Sequence, residues 1–306
     1  MDNKRSKFIG SLLGTAIGDS LGIRREGATD FNDIVELSPR YTDDTALMIG
    51  VAQSLVEKGE FDYHHMAEQL IQNYEREPWR RYDAATPRIF RMMRNSGRIW
   101  EGMLDREIYP QGSSGNGAAT RLAPIGLRYH ADPKSLRDIA YHAAGITHSH
   151  PLALEGAAVL TCAVALAVLV DPLDIRIKEF LGALRMFTQP GPYQEKLKDI
   201  IRLLDADPGK DEVVKVLGNS SEALNSVPTA LYCFLANPDF ESAVIYAVSL
   251  GGSADAIGAM TGALAGACFG DEAIPRCWRE KVEQHAVIES LAVQLWGKTE
   301  AKSGST

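Results

Sequence analysis

Four consecutive side chains that carry oxygen, Thr42-Asp43-Asp44-Thr45, stand directly before an apolar pattern typical of a helix. Threonine and aspartate are favoured at helix N-caps, but a single residue would fill that role. Two neighbouring carboxylates repel each other unless a cation lies between them. From the spacing alone, helix capping and metal binding are equally good interpretations of this run.

A lone carboxylate, Asp255, follows a glycine pair in residues 250–270, which read LGGSADAIGAMTGALAGACFG. Glycine then recurs every fourth residue, at positions 258, 262, 266 and 270. Each glycine inside a helix costs about 1 kcal/mol relative to alanine, so close packing against another backbone must offset that cost. We predict a central packing helix with Asp255 buried at its N-terminal end, where the carboxylate needs a partner, a cation or a metal.

A glycine-rich segment, GSSGNG at residues 112–117, leads into the pattern AATRLAPIGLRY. A glycine-rich turn that opens a helix presents backbone N–H groups to an anion. The segment has neither the GxGxxG nor the P-loop spacing, so a dinucleotide fold or a P-loop is not indicated. It is a candidate phosphate site, with a plain flexible loop as the alternative. His148, in the later THSHP segment, is either a ligand or a hydrogen-bonded structural residue.

The helices that must position these residues are visible in the spacing of glycine and apolar side chains. Residues 6–22 carry the same four-residue glycine stripe, which predicts that the two stripes pack against each other. Glu26 follows in a polar loop and, from sequence alone, is a solvated surface residue. Further helices are predicted over most of 61–107 and over 135–146, 152–170, 176–187 and 193–204, whereas 205–222 reads as a loop.

The composition of the whole chain is that of a globular protein, and the sequence pattern predicts no strands. No period-2 alternation, fixed repeat or linker appears, so we predict one compact all-α domain over residues 1–297 and a disordered tail over 298–306. The formal net charge of −8 argues against nonspecific binding to nucleic acid or an anionic membrane. The longest apolar run, 156–170, is shorter than the roughly 20 residues of a membrane span, which favours a core helix. Four cysteines without CxxC spacing indicate reduced core residues of an intracellular, cytoplasmic protein.

Taken together and in order, these motifs resemble those of the ADP-ribosylglycohydrolase family, which includes the dinitrogenase reductase-activating glycohydrolase and the ADP-ribosyl-acceptor hydrolases. The resemblance covers residues 8–270 and rests on GSLLGTAIGDSLG, YTDDTALMIG, SGNGAATRLAPIGL and GGSADAIGAMTGALAGA, with THSHP and SVPTALYCFL as smaller agreements. It implies a compact, orthogonal all-α fold with a dinuclear Mg²⁺ or Mn²⁺ centre. It also implies hydrolysis of the glycosidic bond at C1″ of ADP-ribose attached to an acceptor.

The resemblance also implies which residues form the site. Hard oxygen ligands suit Mg²⁺ or Mn²⁺, and the implied metal ligands are Thr42, Asp43, Asp44 and Asp255, with Ser253 at a further ligand position. The diphosphate of ADP-ribose would lie on Ser113, Ser114, Gly115, Asn116 and Gly117, with His148 on the substrate side. Catalysis would fall to Glu26, which matches a mobile-loop glutamate, and to Asp43 and Asp44. The implied partner is ADP-ribose or an ADP-ribosylated molecule, and no membrane partner is expected.

The chain departs from the family pattern after its glycine pair. Where the family has Asp-x-Asp-Thr, this sequence has Ser253-Ala254-Asp255-Ala256. A serine hydroxyl is a weaker ligand than a carboxylate for a hard cation, and Ala256 supplies no side-chain oxygen. One-metal and two-metal centres therefore both stay open. So do three functions: a hydrolase, a catalytically silent ADP-ribose-binding protein and a purely structural protein.

Overall fold

The computed structural model describes residues 4–31, 33, 36–96 and 104–303, and no β-strand occurs among them. This part of the chain forms helices that we number α1 to α16 in chain order. Their bounds are Lys4–Gly22, Asp43–Lys58, Tyr63–Arg76, Thr86–Ser96, Gly117–Thr120, Ala123–Arg128, Pro133–Ala144, Pro151–Leu169, Ile177–Phe187, Pro192–Ala206, Lys210–Leu217, Ala223–Leu235, Phe240–Ser249, Ala254–Phe269, Arg276–Lys281 and His285–Ser303. The all-α prediction is confirmed.

Helices α1 and α14 lie antiparallel at the centre with their glycine stripes in contact. A β-carbon on Gly14 would stand 2.1 Å from the carbonyl oxygen of Gly262, and one on Gly18 would stand 1.9 Å from that of Gly258. Only residues without a side chain allow two backbones to come this close. The predicted pairing of the two stripes is therefore confirmed. It places Gly22, the last residue of α1, against the backbone of Asp255.

Helix α8 forms a second layer of the core. Among the described residues it is the helix whose length and composition would allow it to cross a membrane. Most of its side chains between Ala153 and Val168 are buried within the protein, where α7, α12 and α14 pack against it. The structure thus agrees with the predicted core helix to within one residue at each end.

Three expectations from the sequence are corrected. The segment 205–222 is not a continuous loop, because α11 forms within it and buries Val213 and Leu217 one helical turn apart. The tail expected to be disordered from 298 is helical to Ser303, since α16 continues and Thr299 is buried, donating its hydroxyl to the carbonyl of Leu295 at 2.9 Å. Of the four cysteines, Cys277 is exposed. Residues 97–103, expected to be helical, and 304–306 lie outside the described part.

Candidate active site

A cavity of about 510 Å³ opens where the first turns of α2 and α14 meet the loops after α1 and before α5. The acidic side chains that line it are Glu26, Asp43, Asp44, Asp83, Glu222 and Asp255. The cavity is also lined by two arginines, Arg81 and Arg121, by His148 and by residues 113–117. The acidic excess favours a bound cation, and the glycine loop can offer N–H groups to an anion.

Asp19 organises the acidic wall, although the sequence analysis gave it no role. It is fully buried in the last turn of α1. Its carboxylate accepts hydrogen bonds from the N–H of Thr42 at 3.0 Å, from the N–H of Thr45 at 3.2 Å and from the hydroxyl of Thr45 at 2.6 Å. These bonds satisfy backbone donors that the start of α2 leaves unpaired. The available signal was that Asp19 is the one carboxylate in the glycine-striped segment 6–22.

Thr42 proves to be the N-cap of α2. It is buried, and its hydroxyl accepts the N–H of Asp44 at 3.2 Å. Its side chain is not among those that line the cavity. Of the two interpretations of the Thr42–Thr45 run, capping thus accounts for Thr42, and its role as a metal ligand stays a prediction.

Asp43 and Asp44 follow this cap and face the cavity from the first turn of α2. Asp44 is buried and accepts a hydrogen bond from the hydroxyl of Thr120 at 2.7 Å. Desolvation, and then repulsion by Asp44, raises the pKa of Asp43 well above its usual range. Desolvation, and then repulsion by Asp19, does the same to the pKa of Asp44. The carboxylates therefore repel one another when no cation neutralises them.

The chemistry of these donors fits a hard divalent cation. Asp43, Asp44 and Asp255 bring three carboxylates to one cavity, and oxygen ligands of this kind suit Mg²⁺ and Mn²⁺. A bound cation would relieve the repulsion that raises their pKa values. Within the described ranges, no three His, Cys, Asp or Glu side chains are drawn together into a ready-made metal cage.

The raised pKa values predict how stability depends on pH. Burial raises the pKa of Asp19 from 3.8 to about 7, against the hydrogen bonds from Thr45 and Thr42. Between these values the folded protein holds a proton that the unfolded chain releases, so stability falls as pH rises. In thermal melts with EDTA, we expect the melting temperature to fall from about pH 4 to about pH 7, with a larger gain from Mg²⁺ at pH 7.5 than at pH 5. The Asp19→Asn variant, which cannot ionise there, should show a shallower slope; equal slopes would contradict the assignment.

The glycine pair before α14 fixes both the loop that carries Glu26 and the start of the helix. Gly251 and Gly252 have φ values of +67° and +61°, a left-handed conformation that favours glycine. The carbonyl of Gly252 accepts the N–H of Gly27 at 2.7 Å, and its N–H donates to the carbonyl of Ala28 at 3.1 Å. Glu26 is therefore held close to the first turn of α14. Desolvation, and then the charge of Glu26, raises the pKa of Asp255.

Hydrogen bonds tie the glycine-rich loop to its surroundings. Its N–H groups at Ser113, Gly115 and Asn116 already donate to the carboxylate of Asp105 (2.9 Å), the hydroxyl of Ser113 (3.3 Å) and the carbonyl of Ser221 (2.9 Å). No acceptor in the described ranges takes the N–H groups of Ser114 and Gly117. Two of the five amides predicted to hold a diphosphate are thus available to do so.

Asp105 is a second residue that the sequence analysis missed. It is almost fully buried, and one carboxylate oxygen accepts the N–H of Ser113 at 2.9 Å and the N–H of Ser149 at 2.8 Å. It therefore ties the glycine-rich loop to the segment that carries His148. No motif marks Asp105, because it lies outside the glycine-rich segment and acts through backbone contacts that only the fold creates.

A buried arginine and an uncharged histidine also line the cavity. Arg121 is almost fully buried, and burial lowers its pKa to about 10. Burial, and then the charge of Arg121, lowers the pKa of His148 to about 3, so this imidazole is neutral at physiological pH. The hydroxyl of Thr147 lies 2.7 Å from its Nδ1, which leaves Nε2 on the side of Gly115 and Gly117.

Glu26 is exposed, as predicted from sequence alone, and it also lines the cavity. Its side chain is 40% exposed and accepts a 2.5 Å ion-pair contact from the Arg81 guanidinium. Apart from Thr42, the cavity brings together all the residues predicted for the site: Glu26, Asp43, Asp44, Ser113, Ser114, Gly115, Asn116, Gly117, His148, Ser253 and Asp255. Their individual roles stay predictions.

Comparison with known proteins gives one consistent result. The family model described as ADP-ribosylglycohydrolase matches residues 1–304. ADP-ribosylhydrolase ARH3 of Mus musculus is 32% identical, in an alignment that covers 95% of this chain and 91% of the mouse protein. ADP-ribosylarginine hydrolase Tri1 of Pseudomonas putida is 27% identical over 94% of this chain and 77% of Tri1. A solved structure described as an ADP-ribosylglycohydrolase-related protein complex matches with a TM-score of 0.72 and 27% identity, covering 98% of this chain and 100% of that one.

Proposed function

We propose, on the premise that this chain belongs to the ADP-ribosylglycohydrolase family, that it hydrolyses the glycosidic bond at C1″ of ADP-ribose attached to an acceptor, aided by a divalent cation. Membership makes the chain an ADP-ribosylhydrolase of the glycosidase type. The observation that carries the finer proposal is that Asp43, Asp44 and Asp255 share one cavity with the 113–117 loop. A substrate whose diphosphate lies on the loop can present its ribose to the carboxylates.

At the binding end, the N–H groups of Ser114 and Gly117 would donate to the diphosphate. Because both lack a protein acceptor in the described ranges, no protein hydrogen bond has to break first. His148 is neutral, so it would contribute a hydrogen bond and no charge. The Arg121 guanidinium supplies fixed positive charge at the cavity wall, which offsets part of the repulsion between a diphosphate and the carboxylates.

At the reacting end, a water molecule would attack C1″ as the bond from C1″ to the acceptor breaks. Asp43 and Asp44 would stabilise the positive charge that develops on the ribose. Glu26 would accept the proton of the attacking water, and the departing acceptor would take up a proton from solvent water. Asp43, Asp44 and Asp255 would hold a Mg²⁺ or Mn²⁺ ion, which supplies Lewis acidity toward a ribose hydroxyl or the water.

The direct test is release of free ADP-ribose from peptides that carry it on arginine or on serine. The purified protein, freed of metal with EDTA, would be assayed without metal and with Mg²⁺ or Mn²⁺, and the product separated by chromatography. We expect release with a divalent cation on at least one linkage and a strong loss without it. The two linkages separate acceptor classes, and the relative Tri1 is described as an ADP-ribosylarginine hydrolase. No release from either peptide with any metal would overturn the proposal.

A second candidate is an ADP-ribose-binding protein with little turnover, which the oxygen-poor surroundings of Asp255 favour. The hydroxyl of Ser253 already accepts the side-chain amide of Asn116 at 3.2 Å, and the neighbouring cavity residue Ala256 has no side-chain oxygen. This candidate predicts tight ADP-ribose binding by calorimetry without release from the peptides.

The Ser253→Asp/Ala256→Thr variant tests whether these two positions limit the site. Added oxygen ligands should tighten Mg²⁺ binding about tenfold or more and raise activity, because even outer-shell metal partners change affinity by about 10- to 100-fold. The measurement is the Mg²⁺ concentration that gives half-maximal ADP-ribose release. The same double substitution combined with Asp43→Asn serves as the control and should give no gain. An unchanged Mg²⁺ requirement in the double variant would contradict the prediction.

A further inference from the structure

We propose that the Arg81 guanidinium supplies the positive charge on the Asp255 side of the cavity, so that the chain binds one divalent cation, on the Asp43–Asp44 side. The inference rests on the proposed function, because it concerns the cation of the same site. It assigns to Arg81, a residue outside every motif of the sequence, control over how many metal ions the site holds.

The Asp255 side has few oxygen atoms to offer a cation. Ser253 already accepts a hydrogen bond from Asn116, and the side chain of Ala256 contains no oxygen atom. Of the lining carboxylates, Glu26 is the one whose charge acts most strongly on Asp255, and Arg81 engages it at 2.5 Å. Asp255, which already holds the single cation of the proposed function, would therefore be the main charged ligand left for a second one, and a hard divalent cation is poorly held by one carboxylate.

The backbone at Arg81 is arranged to bring its side chain to the cavity. Arg81 has φ +64°, in the left-handed region that L-residues with a β-carbon rarely adopt. Such strain persists where surrounding contacts fix it, and it gathers at functional sites. Here the strained residue lines the acidic cavity and forms an ion pair with Glu26. The conformation therefore brings a positive charge to the carboxylates of the cavity.

The contacts that fix this backbone belong to the preceding arginine. Arg80 is buried, and its guanidinium stacks on the ring of Tyr41 at 3.9 Å. It also donates to the carbonyl of Tyr41 at 3.2 Å and forms ion pairs with Glu77 (2.9 Å) and Glu283 (3.1 Å to Oε1). One arginine thus anchors the segment in the protein while the next one is presented to the cavity.

The charges differ between the two sides of the cavity. A guanidinium stays protonated at any physiological pH, so Arg81 repels a second divalent cation near Glu26 and Asp255. On the other side, the three carboxyl groups of Asp43, Asp44 and Asp83 outnumber the single guanidinium of Arg121. On the Asp255 side the Arg81 guanidinium is the cation, whereas the Asp43–Asp44 side needs a divalent cation from solution. This asymmetry predicts a stoichiometry of one.

The test counts metal ions independently of turnover. Metal-free protein is titrated with Mn²⁺, and free Mn²⁺ is measured by electron paramagnetic resonance. We expect one tight Mn²⁺ per wild-type chain. The Arg81→Ala variant should bind a second Mn²⁺ or bind the first about fivefold to tenfold more tightly, because a positive charge near the site is removed. The Arg81→Lys variant, which keeps the charge without the planar fork, should resemble the wild type.

The matched control is Arg24→Ala. Arg24 lies in the same loop as Glu26 but forms an exposed ion pair with Glu36 and does not line the cavity, so Mn²⁺ binding should not change. Two tight Mn²⁺ ions in the wild type, or Mn²⁺ binding unaltered by Arg81→Ala, would overturn the role of Arg81 and leave the proposed function standing. A wild type that binds no Mn²⁺ would overturn both this role and the metal dependence of the proposed function.

Discussion

The Asp43→Asn substitution should lower ADP-ribose release by at least about 100-fold, since residues that only support a metal ligand already matter by about 10- to 100-fold. Asp43 lines the cavity from the first turn of α2, and its strongest interactions, after desolvation, are with other carboxylates. Removing its charge weakens the cation site and the stabilisation of positive charge on the ribose. The rate is measured at saturating substrate and Mg²⁺, and Mn²⁺ binding is measured alongside it.

The fold should survive this change, because asparagine keeps the size of the side chain and relieves a repulsion. Binding of free ADP-ribose should weaken much less than turnover, since the N–H donors of the 113–117 loop are untouched. Asp62→Asn is the matched control: Asp62 caps α3, accepts the N–H of His65 at 2.9 Å and lies outside the cavity. An Asp43→Asn variant with a tenth or more of wild-type activity would refute the role given to Asp43.

The second large effect concerns stability. The Gly262→Ala substitution should destabilise the protein by roughly 3 kcal/mol or more, at or beyond the upper end for overpacked cores. A β-carbon there would stand 2.0 Å from the carbonyl oxygen of Gly14. The obstacle is backbone, which cannot move aside as a flexible side chain can, so α1 and α14 must separate. The free energy of unfolding is measured by urea denaturation.

Gly182→Ala is a control inside another helix, and we expect it to change stability in the opposite direction. Gly182 lies inside α9, and a β-carbon there would meet nothing within 4 Å. Alanine should therefore stabilise the protein by up to about 1 kcal/mol through helix propensity. If Gly262→Ala were as mild as Gly182→Ala, the close contact of the two central helices would be wrong. Separation of α1 from α14 would also disturb the site, because Asp19 and Asp255 lie on these two helices.

Much of the fold was predictable because its signals are local and periodic. The glycine stripes of 6–22 and 250–270 predicted two helices in backbone contact, and the apolar run near 156–170 predicted a buried helix. The errors lie where the signal was weak. The segment 205–222 looked like a loop because proline, glycine and charged residues surround a short amphipathic helix. The tail looked disordered because its composition gives no hint that Thr299 packs against the body of the protein.

The candidate site, like the fold, was predictable from the sequence only in part. The sequence by itself determined which residues could hold a cation or a diphosphate, because Asp43, Asp44, Asp255 and the 112–117 loop stand in recognisable local patterns. Only the tertiary structure decided how they are held: Asp19 under the start of α2, Asp105 beneath the glycine loop, and Arg81 on Glu26. These contacts join residues from separate elements, and a hydrogen bond or ion pair between elements leaves no periodic trace in the chain. The family could therefore be read from motifs, whereas the charge balance at Asp255 depends on an arginine that no motif contains.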